Sequence, residues 1–366
     1  MARPPGASMR FIFLCKRYYT NKDLLDDRFG RLYHLPVELA RRGHAVEVLA
    51  LDYRHVRGET RRLEGVDFTA LPAAPLVLPL LPLRLLARLR RAPCDVVVAS
   101  GDSHIGYLGL LGARVLKARF AFDIYDYYPA FPGNRLPGMK SMFAAAAASA
   151  ELLLCASPPL MERLQPLNAR RLLVENGVDR QLFRALPGTS KARQCSGEGP
   201  VIGYFGSISA SRGPLLVEAC RRLRGKWPGL RLLMAGVAQD VSLDEAWIDY
   251  RGALPQQELP ALIAACDVLA VPYASTPFND MSGACKLAEY LACERPIVAT
   301  RIAGHETVLG SGAQGLCGQD PDDMARAIER QMQDPEILPF PAHLDWRAIA
   351  AQMERALARS GAGETA

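Results

Sequence analysis

The sequence predicts an α/β protein built from two doubly wound parallel-sheet domains in series. Short, near-continuous apolar runs alternate with helical periodicity along the whole 366-residue chain. The alternation breaks once, at a polar stretch near the middle, and then restarts. Composition agrees: 49% hydrophobic and 22% charged residues are the balance of a globular protein, which excludes disorder and low-complexity fibre. The length allows two domains, each with its own core.

In the first half, strands are expected at residues 10–15, 45–51, 67–71, 95–100, 119–125, 152–157 and 171–175. Most are apolar throughout, as strands are when both faces of a parallel sheet are covered. In the stretch 29–42, Leu32, Leu35, Leu39 and Ala40 share one helical face, and Gly43 offers a stop. Residues 187–200, PGTSKARQCSGEGP, read as the interdomain linker. Strands resume at 201–205, 231–235, 249–252, 268–272 and 296–300, with helices at 214–224, 259–265, 284–292, 321–332 and 346–358. The expected organisation is a first domain over 1–186, the linker, a second domain over 201–340, and a carboxyl-terminal helix and tail over 341–366. Right-handed βαβ units of this kind place a ligand cleft at the carboxyl ends of the two sheets.

The nine cysteines are scattered, with no C-x-x-C pair, and no N-x-[ST] acceptor occurs, so reduced thiols in a cytoplasm are expected. Residues 1–185 carry 27 Lys and Arg against 17 Asp and Glu, whereas the remainder carries 17 against 21. A basic first half faces something anionic: nucleic acid, a phosphate-bearing substrate or a membrane surface. Nucleic acid is the weakest of these, because the positive charge has little aromatic interleaving and no recognised motif. Residues 71–83 form an uncharged run of 13 residues with four prolines, against the ~20 that a spanning helix needs. The amino-terminal apolar run at 11–15 is too short for a signal-peptide core. Residues 80–91, LLPLRLLARLRR, form a basic amphipathic helix. With Arg54, Arg57, Arg61 and Arg62 it either rests on an anionic inner-membrane face or packs on the sheet with its arginines in water. Arginine outnumbers lysine 37 to 7, a bias that genomic composition can produce as well as function.

The most informative stretch is 277–300, PFNDMSGACKLAEYLACERPIVAT, read as loop, helix, turn and buried strand. A polar loop with Asn279, Asp280, Ser282 and Gly283 feeds a helix start whose free N–H groups can hold a phosphate. Lys286 and Glu289, three apart, share a face, and a carboxylate placed there can accept two ribose hydroxyls. The bland alternative is a solvated Lys–Glu pair. The same half opens with 201–213, VIGYFGSISASRG: a strand ending at Gly206 and Ser207, then Arg212 before a helix, where small residues and a guanidinium suit phosphate oxygens. Gly252 sits at another strand end, where a base can stack on backbone.

Taken in order, 201–213, RLLMAG at 231–236, 250–273, KLAEYLACERPIVAT at 286–300 and GLCGQDPDDMARAIERQMQDP at 315–335 resemble the nucleotide-sugar half of retaining GT-B glycosyltransferases of the large family 4-like group. In the first half, GHAVEVLAL at 43–51 and VENGVDRQLF at 174–183 are similar to that family's second strand and hinge segment. The resemblance implies a GT-B fold with a central cleft, a carboxyl-terminal helix returning to the amino-terminal domain, and a UDP or GDP sugar as co-substrate. It implies that Glu289 binds the donor ribose and Arg212 the donor phosphates. Two departures stand out: Met281 occupies the place of a first glutamate, with Asp280 beside it to hold sugar hydroxyls, and Ser207 that of a second basic residue. The usual diglycine of the first loop is replaced by YYTNKDLLDD at 18–27.

The resemblance places the acceptor chemistry at the ends of the fourth and fifth strands, SGDSH at 100–104 and DIYDYYP at 123–129. Asp102, His104 and Asp126 are the candidates there to orient a hydroxyl and shed its proton, against the alternative of ordinary loop residues. Two motifs are decoys. GSGAQG at 310–315 matches a dinucleotide fingerprint but neither follows a strand nor opens a helix. DPDD at 320–323 reads as a helix cap, and neither a metal nor a cofactor is expected. The overall expectation is a metal-independent transferase acting on a glycan or lipid-linked acceptor, cytoplasmic or peripheral at the inner membrane. A sugar-nucleotide epimerase, and a non-catalytic binder of nucleotide sugar or glycan, are the rival readings.

Overall fold

A computed structural model of the chain describes residues 8–19, 22–186, 199–276, 279–280 and 285–360. Strand β1 (Arg10–Lys16) shows why the apolar runs are continuous. Its Phe11, Phe13 and Cys15 enter one core layer, and its Ile12 and Leu14 enter the other. A short antiparallel ladder of β2 (Tyr18–Tyr19) and β3 (Lys22–Asp23) follows. The rest of the first sheet is β4 (Ala45–Asp52), β5 (Glu59–Leu63), β6 (Val66–Pro72), β7 (Val96–Ser100), β8 (Arg119–Ile124), β9 (Leu152–Cys155) and β10 (Arg171–Leu173). The strand order is β10-β9-β8-β7-β1-β4-β6-β5, parallel except for β5, which runs antiparallel to β6. The order reverses between β1 and β7, the switch point at which doubly wound sheets bind ligands.

The second sheet holds β11 (Val201–Phe205), β12 (Arg231–Ala235), β13 (Ile248–Tyr250), β14 (Val268–Val271), β15 (Ile297–Thr300) and β16 (Leu316–Cys317). All pairs are parallel, in the order β13-β12-β11-β14-β15-β16, with the switch point between β11 and β14.

The chain divides into two compact units, one of residues 1–176 with 346–366 and one of residues 177–345. The first unit's opening stretch therefore ends at 176, ten residues before the expected domain end at 186. Val178 and Phe183 are the reason, because both are buried in the second unit's core. Leu344 is buried in that core as well, which moves the second crossing from 340 to 345. Of the expected linker, residues 187–198 lie outside the described residues.

The helix Trp346–Ser360 belongs to the first unit, as the resemblance implied. Trp346, Ile349, Ala350, Met353 and Leu357 enter the core layer of Phe11 and Phe13. Trp346 stacks on His34 of the helix Arg31–Arg41, with ring centroids 5.6 Å apart and planes at 11°. Arg42 pairs with Glu354, and Arg119 donates to the Leu357 carbonyl. In the helix Leu81–Leu89, Leu81, Leu85 and Leu89 face the core, so this segment packs on the sheet. Leu76, Leu78, Leu80 and Leu83 nonetheless remain exposed beside it. Both decoys resolve as expected: residues 310–315 are a turn leading into β16, and the Asp320 carboxylate caps the helix Pro321–Gln333 by accepting from Asp322 and Asp323 N–H groups at 2.9 and 3.1 Å.

Candidate functional site

In the second unit, three strand ends meet at bare backbone. Gly206 follows β11, Gly236 follows β12, and Gly252 lies just beyond β13. The Gly206 N–H bonds the Ala235 carbonyl at 2.9 Å, and the Gly236 N–H bonds the Gly252 carbonyl at 2.7 Å. Gly236 admits no side chain, since its φ is 140° and a Cβ there would lie 1.8 Å from the Gly206 oxygen. Ser207 is exposed, and its carbonyl accepts from the Tyr204 hydroxyl at 2.7 Å.

Arg212 comes back to this edge from the loop after β11. Its guanidinium lies 4.1 Å from the centre of the Tyr273 ring, just past β14, so the residue sits at the switch point. Nε and one Nη of Arg212 both donate to Asn279 Oδ1, at 2.9 and 2.6 Å. The Asn279 amide donates to the Ala274 carbonyl at 2.8 Å, which fixes the oxygen towards Arg212. Asn279 and Asp280 are helical rather than loop, and Asn279 is buried. A polar residue read as part of a loop is thus a buried anchor in a helix, because its side chain completes hydrogen bonds that a loop would have left to water. Asp280 takes a hydrogen bond from the Ser275 hydroxyl at 3.1 Å. Ser282 and Gly283, with Met281, lie outside the described residues.

Lys286 and Glu289 occupy the helix Cys285–Ala292. They are not a solvated pair: Glu289 is 5% exposed, and Lys286 Nζ meets its Oε2 at 2.9 Å. Gln256 Nε2 approaches the other oxygen at 3.5 Å. Burial alone would lower the Lys286 ammonium, but the adjacent carboxylate outweighs it and holds the group above its usual value. His305, in the helix Ala303–Leu309, is buried beside Tyr273 and is pushed down to about 4, chiefly by burial. Its Nδ1 meets the Thr300 carbonyl at 2.7 Å, so that nitrogen carries the proton and Nε2 is the acceptor. Sequence reasoning missed Tyr273, Gln256 and His305 as site residues. Only Tyr273 had a usable signal, an aromatic at a strand's carboxyl end.

The first unit has its own polar cluster at the β1–β7 switch point. Lys16, at the end of β1, pairs with Asp102, the residue that opens the helix Ser103–Leu116. His104 lies in the first turn of that helix, and the Tyr53 hydroxyl meets its Nε2 at 2.8 Å. Burial, with Lys16 nearby, lowers the imidazole to about 4, while burial raises the Tyr53 phenol to about 12. Asp126 follows the neighbouring strand β8, and burial raises its carboxyl to about 6 against the opposing pull of Arg31. Deeper still, Arg31 and Asp123 form a fully buried pair at 2.6 Å, which Ser100 and Asn176 complete. Sequence reasoning therefore brought His104, Asp102 and Asp126 to one sheet edge, but missed Lys16 and Tyr53.

Two doubly wound sheets, each with charged side chains gathered at its switch point, define a protein of the GT-B class. The family model for glycosyl transferases group 1 matches residues 199–334, and that for glycosyltransferase family 4 matches residues 31–182. The chain belongs to this family of glycosyltransferases. Among curated relatives, a D-inositol 3-phosphate glycosyltransferase of Corynebacterium urealyticum is 29% identical over 195 residues, covering 46% of this chain and 44% of the relative. A GDP-mannose-dependent phosphatidylinositol monomannoside mannosyltransferase of Mycolicibacterium smegmatis is 29% identical over 276 residues, covering 69% and 65%. The matches thus span less than two thirds of either relative. The structure of Anabaena Alr3699/HepE in complex with UDP is similar in fold, with a TM-score of 0.67, 16% identity and 94% coverage of each chain.

Proposed function

We propose that this chain is a retaining, metal-independent glycosyltransferase whose second unit binds a UDP or GDP sugar and whose first unit binds the acceptor. The observation that carries the reading is the convergence of Arg212, Lys286 and Glu289 on the glycine-bared end of β11. Arg212 is oriented towards a diphosphate and Glu289 towards ribose hydroxyls, with the Gly252 backbone beside the base and Asp280 beside the sugar. In the reaction the acceptor oxygen bonds the anomeric carbon as the bond to the diphosphate breaks. The electron pair stays on the diphosphate, where Arg212 stabilises it, and the acceptor proton passes to a base. Asp126, titrating near 6, is matched to that last task, and neutral His104 orients the hydroxyl.

Two relatives named for inositol-bearing acceptors support a polar, phosphate-bearing or lipid-linked acceptor for the basic first unit. The exposed leucines beside Arg84, Arg90 and Arg91 support contact with an anionic membrane surface. Calorimetric titration with UDP, GDP, ADP, CMP and the UDP and GDP sugars tests the donor assignment. Tight, selective binding of one nucleoside diphosphate is the expected result, and no binding of any would refute it. Turnover of a UDP sugar without acceptor would instead favour an epimerase, and binding without any turnover a non-catalytic protein.

A further inference from the structure

We propose that Lys286 is the second cation of the nucleotide site, the residue through which the site distinguishes a nucleoside diphosphate from a monophosphate. This deepens the function proposed above and rests on it. The argument starts from position. A Cβ placed on Gly206 would lie 3.5 Å from Lys286 Cε, so the lysine stem runs along the bare end of β11. Its charge also reaches the Tyr273 hydroxyl, the same ring on which Arg212 stacks at 4.1 Å. Two cations from separate elements, the loop after β11 and the helix Cys285–Ala292, are therefore held at the β11–β14 switch point, Lys286 along the end of β11 and Arg212 against the ring just past β14.

The second part is hydrogen-bond chemistry. An ammonium has three N–H donors. Among the described residues, Glu289 is the one acceptor recorded for Lys286, at 2.9 Å, and the lysine side chain is only 20% exposed. Arg212, in contrast, commits Nε and one Nη to Asn279. Lys286 is thus a largely desolvated point charge with donors to spare, and a further anion gains more there than at a hydrated surface lysine. Glu289 keeps the ammonium charged in this dry setting, so it serves two tasks, as counter-ion to Lys286 and as acceptor for the ribose. A monophosphate offers one phosphate to two cations. A diphosphate offers one to each.

The test is calorimetric titration of UDP against UMP, and GDP against GMP, with wild type, Lys286→Gln, Lys286→Arg and the double variant Lys286→Gln/Glu289→Gln. The double variant removes both buried charges together and avoids stranding a carboxylate. Loss of the ribose contact weakens both nucleotides alike, so the ratio of their affinities isolates Lys286. Wild type is expected to favour the diphosphate by about tenfold or more, as one charge-assisted contact allows. Both Gln variants should bring the ratio close to unity, and Lys286→Arg should keep part of it. A ratio left intact in the Gln variants overturns this role while leaving the transferase reading standing. Wild type that binds no nucleotide overturns both.

Discussion

The Tyr53 hydroxyl meets Nε2 of His104 at 2.8 Å, with the two rings edge to face at 6.0 Å. Tyr53 follows β4 and His104 follows β7, so the contact ties together side chains from strands on either side of β1. Because the phenol is raised and the imidazole lowered, both partners are neutral throughout the physiological range. Tyr53→Phe should leave the fold intact and lower kcat/KM for transfer by roughly 2- to 10-fold, the worth of one neutral hydrogen bond. Steady-state kinetics checks this, and an unchanged kcat/KM would show that the imidazole's position does not matter to the reaction.

Acid should destabilise the protein through its buried histidines. His104 and His305 are both lowered from 6.5 to about 4. Between those values the folded state binds fewer protons than the unfolded, so their stability is present above pH ~6.5 and lost towards pH ~4. Asp126, raised from 3.8 to about 6, works in the opposite direction over nearly the same window. Two groups against one leave a net loss on acidification. Urea midpoints between pH 7 and 4.5 should fall, more shallowly in His305→Gln and more steeply in Asp126→Asn.

Arg212 depends on Asn279 for its pose. Asn279→Ala removes the acceptor of two guanidinium N–H groups and should weaken nucleoside diphosphate binding by roughly 1–3 kcal/mol. Monophosphate binding should fall less. Equal losses for the two ligands, measured by calorimetry, would indicate a general disturbance of the unit instead.

The carboxyl-terminal helix is part of the first unit's core. Trp346 is 3% exposed and stacked on His34, so Trp346→Ala should cost about 3–5 kcal/mol of that unit's stability. Urea denaturation followed by circular dichroism measures it, and a loss below about 1 kcal/mol would show the helix to be dispensable.

Leu76 and Leu83 are 85% and 67% exposed. The double variant Leu76→Ser/Leu83→Ser should lose most co-sedimentation with anionic phospholipid vesicles and keep its thermal midpoint, since neither side chain enters the core. Equal sedimentation of variant and wild type would remove the membrane from the acceptor reading.

The strands of both sheets were legible because alternation and apolar runs reflect the geometry of a single element. Residues 201–205 and 231–235 read directly as the strands Val201–Phe205 and Arg231–Ala235. The strand Glu59–Leu63 was invisible, since its sequence ETRRL is that of a charged sheet edge. Among the candidate site residues, spacing and family resemblance point to Arg212, Lys286 and Glu289, whereas Tyr53 and His305 have no local signature.

By itself, the amino-acid sequence determined the two-sheet α/β architecture, the family and the capping role of Asp320, because each is written in patterns a few residues long. Tertiary structure alone decided that Glu289 is buried against Lys286, that residues 177–186 join the second unit, and that Asn279 holds Arg212 from 67 positions away. Such pairings follow from the order in which strands assemble into a sheet, and no short stretch of chain encodes its distant neighbours.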